Sequence, residues 1–193
     1  MIKGFPTRKD SIILAAIDII NEKGIQSLST KEIALKQGIS ESLLYKYFNS
    51  LDEVLIAVIE YFSQFDDMIV NTVLKRDISH KEKILEASKS LVELYESYPA
   101  LASILLNYET LMNYSHTKEI ANEIINRRLR FLEKVIEMGQ DNGEFENYYT
   151  SKELAIIIIG TFRSLIMNWK MSGYKFPIKK EMLMVIKKIL EKA

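Results

Sequence analysis

The chain has 193 residues, no cysteine and a formal net charge of zero. This length allows one domain or two small ones, and it is enough to bury an apolar core. The lack of cysteine excludes disulfides and thiolate metal sites, and agrees with a reducing compartment. Residues 1–50 contain seven Lys or Arg against five Asp or Glu. That excess is too small to indicate a nucleic-acid partner by charge alone.

The N-terminal residues give no sign of a secretion signal, because 1–5 contain no apolar run with a basic flank and a cleavage site. The most apolar stretch, 154–162, is too short to span a bilayer and is followed by Arg163. We therefore expect a soluble cytoplasmic protein.

The first predicted helix covers 7–23. Ile13, Ala16, Ile17 and Ile20 recur there at helical spacing on one face, and a glycine follows the last residue.

Two shorter helices are predicted next. Ser29 and Glu32 have the spacing of a capping box, so a helix should begin near Thr30. Gly38 can take the left-handed conformation that ends this helix, and Ser40 can cap the following one. Two helices joined by about four turn residues, one of them glycine, are typical of a DNA-binding helix-turn-helix.

The remainder of the chain also reads as helical. Ser50 and Glu53 make a second capping-box pattern before a long helix over 51–75. Five more helices follow, among them a short one whose first turn suits Pro99. The last three run over 118–140, over 151–172 and from 177 onward. We expect an all-α fold of about nine helices, with a DNA-binding domain over 1–50 and a ligand-binding and dimerisation bundle over 51–193.

These motifs resemble the N-terminal domain of the tetracycline-repressor (TetR) family of bacterial transcription regulators. The family's first helix carries Ile-Leu-x-Ala-Ala, which Ile-Leu-Ala-Ala at 13–16 resembles with one position fewer. Its helix-turn-helix is matched by Ile-Ala at 33–34, Gly-Ile-Ser at 38–40 and Leu-Tyr-Lys-Tyr-Phe at 44–48. In one departure, Leu51 stands where the family usually has a lysine that contacts the DNA backbone.

The resemblance and the helix-turn-helix geometry together predict the DNA contacts. The second helix enters the major groove, where residues of its first turn reach base edges and later residues contact phosphates. For Glu41 two interpretations are open: its carboxylate accepts a hydrogen bond from a cytosine amino group, or it is exposed to water. The predicted DNA-binding residues are Ser29, Thr30, Lys31, Ser40, Glu41, Ser42, Leu43, Tyr45, Lys46 and Tyr47.

Basic residues near the start of the chain offer a weaker signal. Lys3, Arg8 and Lys9 are read either as DNA contacts or as a solvated basic tail, and the tail is favoured. The two histidines, His80 and His116, have no metal-site spacing. We find no catalytic constellation, metal site or cofactor motif, so no enzyme activity is expected.

The C-terminal bundle is expected to bind a small effector, as the resemblance implies. Most of its large apolar and aromatic residues should be ordinary core, but cavities between bundle helices are typically apolar with a few polar groups. The predicted lining residues are Phe62, Tyr95, Asn107, Tyr108, Met112, Arg127, Phe131, Phe162 and Arg163.

The predicted helix over 151–172 is apolar on nearly all sides, which favours burial of one side within the subunit and of the other against a partner. The resemblance implies that the last two helices form a homodimer interface. We place Ile157, Ile158, Met182 and Ile186 in it. The alternative is a central helix that is fully buried within one chain.

The sequence thus predicts a dimeric, ligand-responsive transcriptional repressor that is released from a double-stranded DNA operator by a small-molecule effector. The alternative is a helical small-molecule-binding protein or enzyme that retains an unused helix-turn-helix.

Overall fold

The computed structural model describes residues 7–112 and 115–193. Lys3 lies outside these residues, and so does the side chain of His116. Within the described ranges the chain forms ten α-helices, one short 3-10 helix and no strand, which confirms the all-α class. One more helix is present than predicted, because the short helix expected after Pro99 is two helices separated at Asn107.

The N-terminal part begins with α1 (Arg8–Lys23), the 3-10 helix (Ile25–Ser27), α2 (Thr30–Gln37) and α3 (Glu41–Leu44). The long α4 follows (Leu51–Leu74). The remaining helices are α5 (His80–Ser97), α6 (Leu101–Leu106), α7 (Tyr108–Leu111), α8 (Ser115–Asp141), α9 (Ser151–Met171) and α10 (Ile178–Glu191).

Tertiary contacts divide the chain into two compact units. The first takes in the described residues of Met1–Ser63 and Ala100–Asn122, and the second takes in Gln64–Pro99 and Glu123–Ala193. Both α4 and α8 run through both units. The functional division into 1–50 and 51–193 stays a prediction.

The first unit is built around α1, which packs against α2 and α6. Its buried residues cover most of the helix circumference: Ile12, Ile13, Ala15, Ala16, Ile17, Ile19 and Ile20. A polar link accompanies this packing, since the Ser103 hydroxyl donates to Asn21 Oδ1 at 2.6 Å. Ser103 is fully buried, so the bond offsets the cost of removing its hydroxyl from water.

In the second unit α10 packs against α5 and α9. The rings of Tyr95 and Phe162 lie 5.9 Å apart in its interior. The loop after α8 is fastened to the start of α5, because Glu144 accepts from His80 Nδ1 at 2.6 Å and from the His80 backbone N–H at 2.7 Å. Burial raises the pKa of Glu144, but the hydrogen bonds from His80 and Lys81 outweigh it and leave the pKa below its usual value.

Two adjacent ion pairs join α4 to α8 within the second unit. Arg128 donates to both carboxylate oxygens of Asp66, at 2.8 and 3.0 Å, and Arg127 donates to both oxygens of Asp67, at 2.9 and 3.0 Å. Their surroundings differ. The side chain of Asp66 is 7% exposed and that of Asp67 is 54% exposed.

The apolar helix α9 is 21 residues long. By length and composition alone the whole helix is sufficient to cross a membrane, although its most apolar stretch, 154–162, is too short to do so. One side of α9 is nevertheless packed inside the second unit, through Leu154, Ala155, Ile158, Phe162, Ile166 and Trp169. The opposite side is exposed at Ile156 and Met167.

The two ion pairs provide a matched test of how burial sets the contribution of a charge pair to stability. Asp66→Ala leaves the part-buried Arg128 without its carboxylate, so we expect the free energy of unfolding to fall by about 3 kcal/mol. Asp67→Ala removes the exposed pair and should lower the free energy of unfolding by less than about 1 kcal/mol. Urea denaturation of both variants measures the difference. Equal losses would contradict the conclusion that burial makes the Asp66–Arg128 pair the more stabilising of the two.

Candidate nucleic-acid interface

The turn between α2 and α3 has the geometry that the sequence predicts. Gly38 adopts φ 62° and ψ 35°, the left-handed conformation in which glycine has no steric penalty. Its N–H bonds back to Leu35 O, and the next N–H, of Ile39, bonds to Ala34 O at 3.0 Å. This pairing ends α2 and directs the chain into α3.

Only one of the two hydrogen bonds of the predicted capping box forms at the start of α2. Ser29 Oγ accepts from the Glu32 N–H at 3.1 Å, as expected. The Glu32 carboxylate does not return to the backbone of Ser29, because it pairs with the Lys23 ammonium of α1. The hydrogen bond from Lys23 and its positive charge hold the pKa of Glu32 below its usual value. The acid therefore links α2 to α1.

The cap of α4 also departs from the simple pattern. Ser50 Oγ accepts from the Glu53 N–H at 3.2 Å, but the Glu53 carboxylate accepts from the backbone and side-chain N–H groups of Asn49, at 2.8 and 2.9 Å. These two bonds lower the pKa of Glu53. Leu51, the first residue of α4, is half-buried.

The second helix of the helix-turn-helix, α3, is called the recognition helix below. It is held in place by its cap and by two apolar residues. Ser40 Oγ accepts from the Leu43 N–H at 3.2 Å and also lies 2.8 Å from Ser42 Oγ. Leu44 and Phe48 are buried, at 0% and 2% exposure.

Of the ten predicted DNA-binding residues, Ser29 caps α2, and the other nine lie on α2, on α3 and in the segments that flank α3. None of the ten is buried. Three are half-buried, namely Ser29, Thr30 and Leu43, and the others are exposed. Arg8 and Lys9 are exposed as well, and the Lys9 ammonium lies 5.1 Å from the centre of the Phe48 ring.

One contact in this region is not predicted by the sequence. Thr30 Oγ1 donates to Glu41 Oε2 at 2.8 Å and so joins the first residue of α2 to the first residue of α3. The two residues are eleven positions apart, and no local capping rule predicts such a bond.

The nine predicted effector-lining residues divide between the two units. The first unit contains Phe62, Asn107, Tyr108 and Met112, and the second contains Tyr95, Arg127, Phe131, Phe162 and Arg163. Within the first unit the rings of Phe62 and Tyr108 are 6.0 Å apart. Arg127 is engaged by Asp67. An effector role for these residues stays a prediction.

The four residues assigned to the dimer interface differ in their accessibility. Ile158, Met182 and Ile186 are buried inside the second unit, at 2% exposure or less, because they form the packing between its own helices. Ile157 is half-buried. The accessible apolar positions on α9 and α10 are instead Ile156, Met167, Met171 and Met184.

Family comparisons cover nearly the entire chain. Residues 12–58 match the family of bacterial regulatory proteins named after TetR. Residues 58–192 match the C-terminal region of YsiA-like proteins.

Individual relatives agree with these matches. The fatty acid metabolism regulator protein of Bacillus subtilis is 24% identical over 173 residues, which is 86% of each chain. Among solved structures, FadR from Bacillus subtilis in complex with stearoyl-CoA aligns with a TM-score of 0.80 at 22% identity, over 95% of this chain and 98% of that one. A ketosteroid transcriptional regulator of Mycobacterium tuberculosis aligns with a TM-score of 0.84 at 15% identity, over 97% and 95% of the two chains.

The helix-turn-helix geometry and the two family matches lead to one conclusion: the chain belongs to the TetR family and is a ligand-responsive, DNA-binding transcriptional regulator.

Proposed function

We propose that this protein is a cytoplasmic, homodimeric repressor whose effector is a long-chain acyl-CoA thioester. The alignment of a fatty acid metabolism regulator over 86% of this chain is the observation that carries the proposal. The similarity in fold to a regulator solved with stearoyl-CoA supports it.

The chemistry of the C-terminal helices suits such an effector. Apolar and aromatic residues, among them the Tyr95–Phe162 ring pair, supply the surroundings that an acyl chain requires. Arg127, Arg130 and Arg163 on α8 and α9 are residues of the type that binds phosphate groups. The effector would favour a conformation in which two recognition helices no longer match major grooves about 34–36 Å apart.

The effector proposal is tested by titrating stearoyl-CoA into the full-length protein bound to DNA from upstream of its own gene. We expect the affinity for this DNA to fall roughly 5- to 150-fold, the usual range of allosteric coupling, and the thermal midpoint to rise because the ligand binds the folded state. Coenzyme A alone, stearate alone and an unrelated DNA-binding protein control for partial ligands and for detergent effects. An unchanged affinity and an unchanged midpoint would rule out this effector.

We propose that DNA contacts divide between the two ends of the recognition helix. Ser42 and Leu43 lie in its first turn, where side chains reach base edges. Tyr45, Lys46 and Tyr47 follow it and are exposed, in position to contact phosphates. Ser29, Thr30 and Lys31 at the start of α2 complete the phosphate-facing set, Thr30 through its backbone N–H rather than its side chain.

This division predicts two distinct phenotypes. Tyr47→Phe removes one phosphate hydrogen bond and should weaken binding to operator and random DNA alike, by about 1 kcal/mol. Ser42→Ala should weaken binding mainly at the operator, by about 1–3 kcal/mol, and relax the preference at one base pair per half-site. Binding to a panel of single-base operator variants and one random duplex measures both. Altered base preference in Tyr47→Phe alone would reverse the proposed orientation of α3.

The proposed dimer interface is the exposed side of α9. Ile156, Gly160, Met167 and Met171 are all exposed and follow each other at intervals of four, seven and four residues, so they share one helix face. A side chain added at Gly160 would meet nothing within 4 Å, which leaves room for close approach of a second helix. Ile156, Met167 and Met171 give this face the apolar surface that a homodimer interface needs.

Met167→Glu tests this interface. It places an unpaired charge in the proposed contact, which costs several kcal/mol there, so we expect a folded monomer that no longer binds operator. Met68→Glu, at an exposed methionine of α4, is the matched control and should remain dimeric. Analytical ultracentrifugation reports the mass of each variant, and circular dichroism reports its folding. A dimeric and well-folded Met167→Glu protein would exclude this face.

A further inference from the structure

The first residues of the two helix-turn-helix helices are joined by a side-chain hydrogen bond. Thr30 Oγ1 donates to Glu41 Oε2 at 2.8 Å. Thr30 is half-buried and Glu41 is exposed, so the donor is the better fixed of the two. The bond restricts the Glu41 side chain and holds its carboxylate at the beginning of the recognition helix.

Glu41 differs from Glu22 and Glu32 in having no cationic partner among the described residues. Glu22 is paired with Lys36 at 2.8 Å, and Glu32 is paired with Lys23. In the part of the chain that the structure describes, no ion pair within 4.0 Å includes Glu41. The Thr30 hydroxyl is a neutral donor, so it positions the carboxylate without cancelling its charge. The carboxylate is therefore held, with no cationic partner among the described residues, at the start of the helix that we propose to enter the major groove.

The major groove offers few groups that accommodate a carboxylate. Guanine presents two acceptors there, and thymine presents an acceptor and a methyl group. Adenine has a donor, but the acceptor N7 lies beside it. Cytosine presents the donor N4 amino group without a neighbouring acceptor on its own edge. A carboxylate at the start of the recognition helix is thus favoured opposite cytosine and disfavoured opposite the other three bases.

We infer that Glu41 is a specificity-determining residue that selects cytosine at one position of each half-site, and that Thr30 positions its carboxylate for this contact. The inference rests on the proposed entry of α3 into the major groove and adds to it the base that is read. It also assigns the Thr30 hydroxyl to Glu41 rather than to a phosphate, which leaves the backbone N–H groups at the start of α2 for phosphate binding.

The experiment compares full-length wild-type protein with three variants. Each protein selects sites from a randomised duplex pool, and its affinity is then measured for single-base variants of the wild-type site at one fixed salt concentration. The variants are Glu41→Gln, Glu41→Ala and Thr30→Val. Glu22→Gln is the control, since it neutralises an exposed carboxylate of α1 outside the recognition helix.

We expect wild type to prefer cytosine at one position per half-site by roughly tenfold. Glu41→Ala should abolish that preference, leave the other positions unchanged and bind random duplex more tightly, because a charge that repels phosphate is gone. Glu41→Gln should shift the preference toward adenine, whose N6 and N7 a glutamine can bind together. Thr30→Val should keep the preference for cytosine at reduced strength, and Glu22→Gln should reproduce wild type.

The inference is overturned if Glu41→Ala retains the wild-type preference at every position, even when its affinity rises. That result would make Glu41 a solvated charge that merely opposes binding. Selection of no sequence by wild-type protein would instead refute the proposed DNA reading by α3, so the two failures are distinguishable. Circular dichroism and thermal melting of all four variants establish that each compared protein is folded.

Discussion

The recognition helix has too few residues to be stable by itself. A helix of four residues forms no more than a single turn, and isolated helices of that length do not persist in water. Burial of Leu44 and Phe48 therefore keeps α3 in place, together with the Ser40 cap and the left-handed Gly38. The orientation of the side chains that we propose to face bases is consequently set by the apolar core of the first unit. Substitutions in this core will alter DNA reading even where they touch no nucleotide.

A different kind of constraint acts on the second unit. Apolar side chains can slide past one another at modest cost, but a buried carboxylate–guanidinium pair has good geometry in only one register. The Asp66–Arg128 pair thus fixes α4 against α8 at a defined position. A ligand-responsive protein needs discrete alternative arrangements rather than gradual deformation, and an anchor of this type favours discrete arrangements.

Most helix boundaries were predictable because local chemistry sets them. Caps such as Thr7, Ser29, Ser40 and Thr150 act on residues two or three positions away, and that range is visible in the sequence. The group that a capping-box acid binds was not predictable. Glu32, for example, pairs with Lys23 on another helix instead of the backbone N–H of Ser29. The same limit explains the missed Thr30–Glu41 bond.

The α9 helix shows a second limit of sequence reasoning. When isoleucine occupies every side of a helix, periodicity no longer tells the buried side from the exposed one. The chain thus gave no basis for placing Ile158 inside and Ile156 outside. The extra break at Asn107 was missed for a related reason, because 101–112 is apolar enough to read as one continuous helix.

The packing of α6 on α1 determines how this protein can be divided. The apolar surface of α1 is covered in part by a segment that lies about eighty residues further along the chain, and the Asn21–Ser103 bond is part of that contact. A fragment cut shortly after the helix-turn-helix would leave that surface open to water. Exchange of the helix-turn-helix region between family members would likewise separate α1 from the α6 that packs on it. A functional chimaera therefore requires the transfer of two segments, the helix-turn-helix region and the region around α6.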